Sequence, residues 1–272
     1  MTHIKKTMLD VHPCFSAAHD YARLHLPIAP HCNIKCNYCN RKFDCANESR
    51  PGVTSKLMHP DEICEYVQKI QTKYNLSTIG IAGPGDPMAN WKTVSQSCRL
   101  IHDNFPSLNL CLSTNGLELD EHIEELYSLG VRFVTITMNA VDMEVSNKIY
   151  EYITIQDQLC SGKDACSYLF EKQLKALRHL KETDIYVKIN TVAMKGINES
   201  QIQPIAKLAR EYDCHVMNII PLLPVAQTPF EHLAPHSGDE LAKLRSSASS
   251  YVDIMTHCQR CRSDAVGYIG IS

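Results

Sequence analysis

Between residue 23 and about residue 224, short apolar runs alternate with longer segments whose apolar positions recur every three to four residues. The short runs read as strands and the longer segments as amphipathic helices. Strands are predicted over 23–29, 78–83, 108–114, 132–138, 185–193 and 216–222, and helices over 60–74, 91–104, 118–129, 168–181 and 201–211. Six βα units in series imply a parallel sheet joined by right-handed crossovers. The predicted fold is α/β, a partial (βα)6 TIM-like barrel, with a doubly wound open sheet as the competing layout.

Strand parity adds detail, because successive side chains point to opposite faces of a sheet. In the first strand Leu24, Leu26 and Ile28 share one face and His25 takes the other. Leu110 and Leu112 oppose Cys111 and Ser113; Val134, Ile136 and Met138 oppose Thr135, Thr137 and Asn139; Val187 and Ile189 oppose Lys188 and Asn190. An ordinary closed barrel fills its interior with branched aliphatics. This polar face is expected to surround a polar guest, unless the sheet is open and the face meets water.

Residues 1–22 and 225–272 fall outside the repeat and are expected to form N- and C-terminal extensions to a central barrel of residues 23–224. The 27 basic and 30 acidic residues leave no strong field of one sign, so nucleic acid and anionic membrane are not expected partners. Lys5 and Lys6 precede no apolar leader segment, and no apolar run reaches the length of a membrane span, so a cytoplasmic protein is expected. Thirteen cysteines in a reducing compartment point to metal ligation or redox chemistry. Cys64, Cys98, Cys160, Cys166 and Cys214, which lie outside the clustered thiol motifs, read as small buried apolar residues.

The chemistry concentrates in HCNIKCNYCNRKFDC, residues 31–45, which begins where the first strand should end, the catalytic face of a βα barrel. Cys32, Cys36 and Cys39 supply three thiolates, enough to hold a cubane [4Fe-4S] cluster while leaving one iron open. A structural zinc site would normally show paired C-x2-C halves. The spacing, with Tyr38 before the last thiol, resembles the radical SAM superfamily, in which the open iron chelates S-adenosylmethionine and its reductive cleavage yields a 5'-deoxyadenosyl radical. The loop AGPGDP, with Gly83, Pro84, Gly85 and Asp86, resembles that superfamily's contact to the cofactor's amino group. Ser113, Asn115, Asn139 and Asn190 are further expected contacts to the cofactor.

Four stretches narrow the resemblance: His12-Pro13-Cys14-Phe15, the run CNYCNRKFDCANESRPGV over 36–53, AGPGDP, and HCQRCRSDAVG over 257–267. Together they resemble the NifB family, which builds the iron–sulfur core of the nitrogenase cofactor in nitrogen fixation. The resemblance is to the short, stand-alone form, without the further C-terminal cofactor-binding domain. It implies three [4Fe-4S] clusters. Two are precursors, K1 and K2, fused into an eight-iron carbide-centred cluster, NifB-co, with an added sulfur; one S-adenosylmethionine supplies a methyl group and a second the radical that abstracts hydrogen from it. It further implies an iron–sulfur cluster donor, a cofactor carrier or scaffold, and an electron donor of ferredoxin or flavodoxin type. His25, Cys45 and Cys111 are the expected K1 ligands, and Cys14, Cys258 and Cys261 the expected K2 ligands. Glu48 and Arg50, with His31, are expected candidates for proton transfer. The rival readings are a radical SAM enzyme of a small organic substrate, which gives Cys14, Cys45, Cys111, Cys258 and Cys261 no task, and a non-catalytic zinc or iron–sulfur scaffold.

Overall fold

The structure, a computed structural model, describes residues 8–15 and 20–269; the remaining positions of the expected extensions, 1–7, 16–19 and 270–272, lie outside the described residues. In chain order the elements are α1 (Met8–Val11), β1 (Ala22–His25), β2 (Ile34–Cys36), α2 (Ile63–Gln71), β3 (Leu76–Ile81), α3 (Trp91–Asn104), β4 (Asn109–Thr114), α4 (Ile123–Ser128), β5 (Val131–Thr137) and α5 (Met143–Ile149). Then follow β6 (Tyr150–Ile155), β7 (Gln158–Cys160), α6 (Gly162–Lys181), β8 (Tyr186–Ala193), α7 (Ile202–Glu211), β9 (Val216–Pro221), α8 (Gly238–Ala248), β10 (Ile254–Met255) and β11 (Val266–Gly267).

The six predicted strands are β1, β3, β4, β5, β8 and β9, parallel and hydrogen-bonded in chain order as a curled half-barrel. The first is shorter than expected: Pro27 has no N–H to give the ladder, and beyond His25 only an isolated bridge joins Ala29 to Pro84. The helix expected over 60–74 opens with a 3-10 turn, Pro60–Glu62, capped reciprocally by His59 and Glu62. The helix expected from 168 begins at Gly162, its apolar stripe extended by Ala165 and Cys166. α5, the hairpin β6–β7 and α8 were not anticipated.

Sheet edges decide where the C-terminal segment runs. β10 pairs parallel with β9, and β11 pairs antiparallel with β1. Residues 256–265 are thus a strap joining the two edges of the half-barrel, which among the described residues do not pair with each other. A second, three-stranded sheet, β2–β6–β7, fastens the first thiol segment to the hairpin.

The core follows the parity. Leu24, Leu110, Leu112, Val134, Ile136 and Ile189 are buried against helix residues such as Val67, Val94, Leu126 and Ile205. The opposite face is covered too: Thr135 and Asn190 are 1% exposed and Lys188 6%. An open sheet with this face in water is therefore not the arrangement. Part of the cover is the N-terminal segment, whose His12 and Phe15 pack on Phe133 with ring centroids at 4.2 and 5.0 Å; Phe133 in turn stacks on Tyr186.

Candidate metal centre

The first thiol loop is held by the polar inner face itself. Asn139 Nδ2 donates to Tyr38 Oη at 2.9 Å, Tyr38 Oη donates to Asn47 Oδ1 at 2.7 Å, and Asn190 Nδ2 donates to the Asn47 carbonyl at 2.9 Å. Ser113 Oγ donates to Glu48 Oε1 at 2.6 Å. Part of the expected polar guest is thus the chain's own segment 38–48. Arg41 donates to the carbonyls of Pro30 and Pro84 at 2.7 and 3.1 Å, and Lys35 Nζ to that of Cys39 at 2.6 Å.

Within this loop Cys36 and Cys39 are buried and Cys32 half-buried. Cys36 feels the charges of Cys39 and Cys32, and Cys45 those of Cys39, Cys32 and Cys36, so the four sulfurs form one group. Burial pushes the Cys32 thiol up to about 12 and the Cys36 and Cys45 thiols well up. Thiolates so desolvated need a cationic partner. An iron–sulfur core supplies one, and the donor set of three sulfurs on one loop fits it. Arg41 adds to the field: burial opposes its charge, but Cys32, Cys45 and Cys39 push its pKa up overall.

AGPGDP lies alongside, and its glycines have protein neighbours. A Cβ on Gly85 would stand 2.0 Å from the His31 carbonyl oxygen, and one on Gly83, whose φ is +145°, 2.7 Å from Ser263 Oγ. Close approach here is of backbone to backbone and to the strap. Asp86, 4% exposed, accepts from Thr114 Oγ1 at 2.8 Å, Asn115 N at 2.6 Å and Met88 N at 3.0 Å. Burial raises its pKa against those bonds. Asn115 Nδ2 donates to Asn33 Oδ1 at 2.7 Å. These residues join the ends of β3 and β4 to the thiol loop.

Strand register places the other expected ligands. His25, Gly80, Cys111, Phe133 and Tyr186 form one cross-strand row; Ser113, Thr135, Lys188 and Val216 form the next. Gly80 separates His25 from Cys111, and its absent side chain leaves the space the imidazole fills, since a Cβ there would lie 2.8 Å from His25 Cδ2. His25 Nδ1 is 3.0 Å from the Arg262 carbonyl, which can only accept. The proton therefore sits on Nδ1, leaving the Nε2 lone pair for a ligand. Burial, with Arg23 adding to it, pushes the His25 pKa down to about 4 and keeps the ring neutral.

Cys14 stands within electrostatic reach of Cys261 and Cys258 on the strap, and burial pushes its thiol up to about 12. The two terminal segments are tied by His257 Nε2, 3.1 Å from the Pro13 carbonyl. Burial also pushes Cys111 up to about 12; its charged neighbours are Lys188, Cys14 and Glu48. The structure therefore brings Cys14, Cys258 and Cys261 together, and His25 into one row with Cys111. It groups Cys45 with Cys32, Cys36 and Cys39. Among the described residues no three His, Cys, Asp or Glu side chains converge on one metal-ion position; a cubane spreads its thiolates over separate corners.

Glu48 faces Ser113, Lys188 and Arg260, whereas Arg50 is exposed in a cleft of about 340 Å3 along the strap, with Arg23, Cys261 and Arg262. His31 is exposed on another rim. Cys98 and Cys214 are core residues, Cys166 is buried, and Cys64 and Cys160 pack partly buried against the core, as small apolar side chains do. Sequence reasoning missed Arg23, which donates to Cys261 Sγ at 3.1 and 3.3 Å, and gave Lys188 no role beyond its parity. Burial opposes the charge of Lys188, but Cys14, Glu48, Cys111 and Cys258 raise its pKa above the ordinary value.

Comparison with known proteins gives the family. The sequence pattern of the radical SAM superfamily matches residues 26–209. The chain is 40% identical over 262 residues to the FeMo cofactor biosynthesis protein NifB of Chlorobaculum tepidum, covering 95% of this chain and 62% of the relative. It is 42% identical over 266 residues to the protein of the same name from Klebsiella pneumoniae, covering 95% and 57%. It thus spans less than two thirds of the length of these relatives. The fold is shared with Streptococcus suis SuiB, solved bound to S-adenosylmethionine, at a TM-score of 0.60 and 14% identity over 90% of this chain and 52% of that one. No helix among the described residues is long and apolar enough to cross a membrane. The chain belongs to the radical SAM superfamily, and its similarity to the NifB proteins runs over 95% of its length.

Proposed function

We propose that the chain is a radical SAM maturase that fuses two [4Fe-4S] substrate clusters, with a carbide derived from S-adenosylmethionine and an added sulfur, into the eight-iron precursor of the nitrogenase cofactor. The observation that carries this reading is the meeting of Cys14 from one terminal segment with Cys258 and Cys261 from the other, inside the half-barrel that holds the Cys32–Cys36–Cys39 loop. An enzyme of a small organic substrate gives those thiols nothing to do.

Cys32, Cys36 and Cys39 would hold the [4Fe-4S] cluster whose open iron binds S-adenosylmethionine and which supplies the electron for its cleavage. Around it Arg41 offsets thiolate charge, and Tyr38, through Asn139 and Asn47, fixes the loop's angle to the sheet. Gly83, Pro84, Gly85, Asp86, Ser113, Asn115, Asn139 and Asn190 form the platform for the nucleoside and amino acid parts of the cofactor. Cys14, Cys258 and Cys261 take one substrate cluster; His25 through Nε2, Cys111 and Cys45 take the other. Glu48 is the interior carboxylate placed to accept a proton, and Arg50 serves from the rim. The reading implies partners that deliver clusters, receive the product and donate electrons, and a reducing, cytoplasmic setting for thirteen free thiols.

Anaerobic reconstitution with iron and sulfide tests the reading. About twelve irons per chain, with both S-adenosylhomocysteine and 5'-deoxyadenosine as products, are expected from three four-iron clusters. About four irons and no S-adenosylhomocysteine would return the chain to small-molecule chemistry, and zinc without sulfide would make it a scaffold.

A further inference from the structure

Lys188 is a lysine where the fold has no evident structural need of one. It sits on β8 in the row Ser113–Thr135–Lys188–Val216, one row beyond His25 and Cys111, and is 6% exposed. Among the described residues no hydrogen bond or ion pair engages its ammonium. The Phe15 ring, next to Cys14, lies 6.0 Å away. Glu48 is within electrostatic reach, but its Oε1 is taken by Ser113.

An ammonium on a residue only 6% exposed, with no hydrogen bond of its own, is unfavourable unless an anion comes to it. The groups around it say which kind. Cys14 and Cys258 belong to one proposed ligand set and Cys111 to the other, so Lys188 lies between the two substrate clusters rather than beside one. A four-iron core bound by three thiolates is anionic, and its bridging sulfides accept hydrogen bonds.

We propose that Lys188 is a positioning residue that donates to the sulfides of the anionic iron–sulfur substrates and holds them face to face between the Cys14–Cys258–Cys261 and His25–Cys111 ligand sets. This rests on the reading that both sets bind clusters. The fixed positive charge offsets the repulsion between two anions that must fuse, and it raises the potential of whichever cluster it touches.

The test uses the full chain reconstituted anaerobically, as Lys188→Met, Lys188→Gln and Lys188→Arg. Iron content, a potentiometric titration followed by electron paramagnetic resonance, and S-adenosylhomocysteine formation are read together. The signal of the cluster on Cys32, Cys36 and Cys39 serves as internal reference. Lys188→Met should shift the potential of the substrate clusters to more negative values and slow methyl transfer on the order of tenfold, as loss of an outer contact to a metal site does. Lys188→Arg should restore most of both, and Lys188→Gln reads the loss of charge with a donor retained should the Met variant not fold. Wild-type protein with about twelve irons, alongside neutral variants of unchanged potential and methyl transfer, overturns this inference and leaves the proposed function standing. Wild-type protein with about four irons overturns both.

Discussion

Gly85→Ala puts the coupling between AGPGDP and the thiol loop to the test. Gly85 is buried, and the Cβ it lacks would fall 2.0 Å from the oxygen and 2.5 Å from the carbon of the His31 carbonyl, and 2.9 Å from the Ala29 oxygen. All three are backbone atoms, so no rotamer change relieves the overlap. The two segments must part by more than about 1 Å, which breaks Gly85 N to Ala29 O, at 2.5 Å, and Asp86 N to His31 O, at 2.7 Å. Two hydrogen bonds contribute about 1 kcal/mol each, and the overlap adds roughly 1 to 3 kcal/mol. The total of about 3 to 5 kcal/mol corresponds to a melting point lower by about 10 °C for a chain of this size. Because the shift lands on the residue before Cys32, 5'-deoxyadenosine formation should fall about 100-fold, the penalty for misplacing a reacting site by an ångström. Gly52→Ala is the comparison: nothing lies within 4 Å of its Cβ position, and only its φ of +77° is strained, at about 1 kcal/mol. A Gly85→Ala protein that melts within about 2 °C of the parent and cleaves S-adenosylmethionine at the parent rate would refute the backbone-contact argument.

Three further perturbations separate the parts of the site. Cys258→Ala with Cys261→Ala should remove about four irons and the methyl-transfer product while slow 5'-deoxyadenosine formation persists; full iron content and normal methyl transfer would defeat the ligand assignment. His25→Ala should change the spectroscopic signal of one substrate cluster only, since a nitrogen ligand gives iron a different environment from sulfur; unchanged spectra and iron would make His25 an ordinary core residue held by the Arg262 carbonyl. His179 on α6 meets Glu124 and Asp120 at 2.9 and 3.3 Å, and these contacts raise its pKa above 6.5. Its stabilisation is therefore full below that value and lost as pH rises through the raised one, by under about 1 kcal/mol at this partly exposed site. Melting curves of wild type and His179→Gln at about pH 6 and 8 should converge at the higher pH; a gap that widens instead would reverse the sign of the linkage.

What was legible in the sequence is what periodicity encodes. The six strands and their two faces follow from alternation, and so does the shared face of His25 and Cys111, because a period of two leaves no freedom of face once the strand is placed. The hairpin β6–β7 escaped because its turn, Gln156-Asp157, has φ of 49° and 61° without glycine or asparagine to announce it. The strap escaped because β10 and β11 are two residues each, too short to carry a pattern. AGPGDP resembles a cofactor contact by composition, but composition does not give its protein neighbours: the Cβ position of Gly85 falls on the His31 carbonyl, and Asp86 accepts from Thr114, Asn115 and Met88. Lys188 carried a parity but no neighbours, because those lie on segments distant in sequence.

The strap also bears on how the site assembles. Its two ends are short strands on opposite edges of the half-barrel, and its middle reaches Cys14 through His257 and Pro13. Two-residue strands contribute few ladder bonds, so what the thiols hold adds to the packing of His12 and Phe15 on Phe133 in docking the two termini. A ligand bound by Cys14, Cys258 and Cys261 stabilises the docked state by mass action and leaves an undocked one unaffected. Loading the proposed K2 cluster should then raise hydrogen-exchange protection of residues 254–267 and of 8–15 together, while α3 and α7, packed on the far side of the sheet, stay as they were. Protection gained on the strap alone would uncouple the two segments and remove Cys14 from the ligand set.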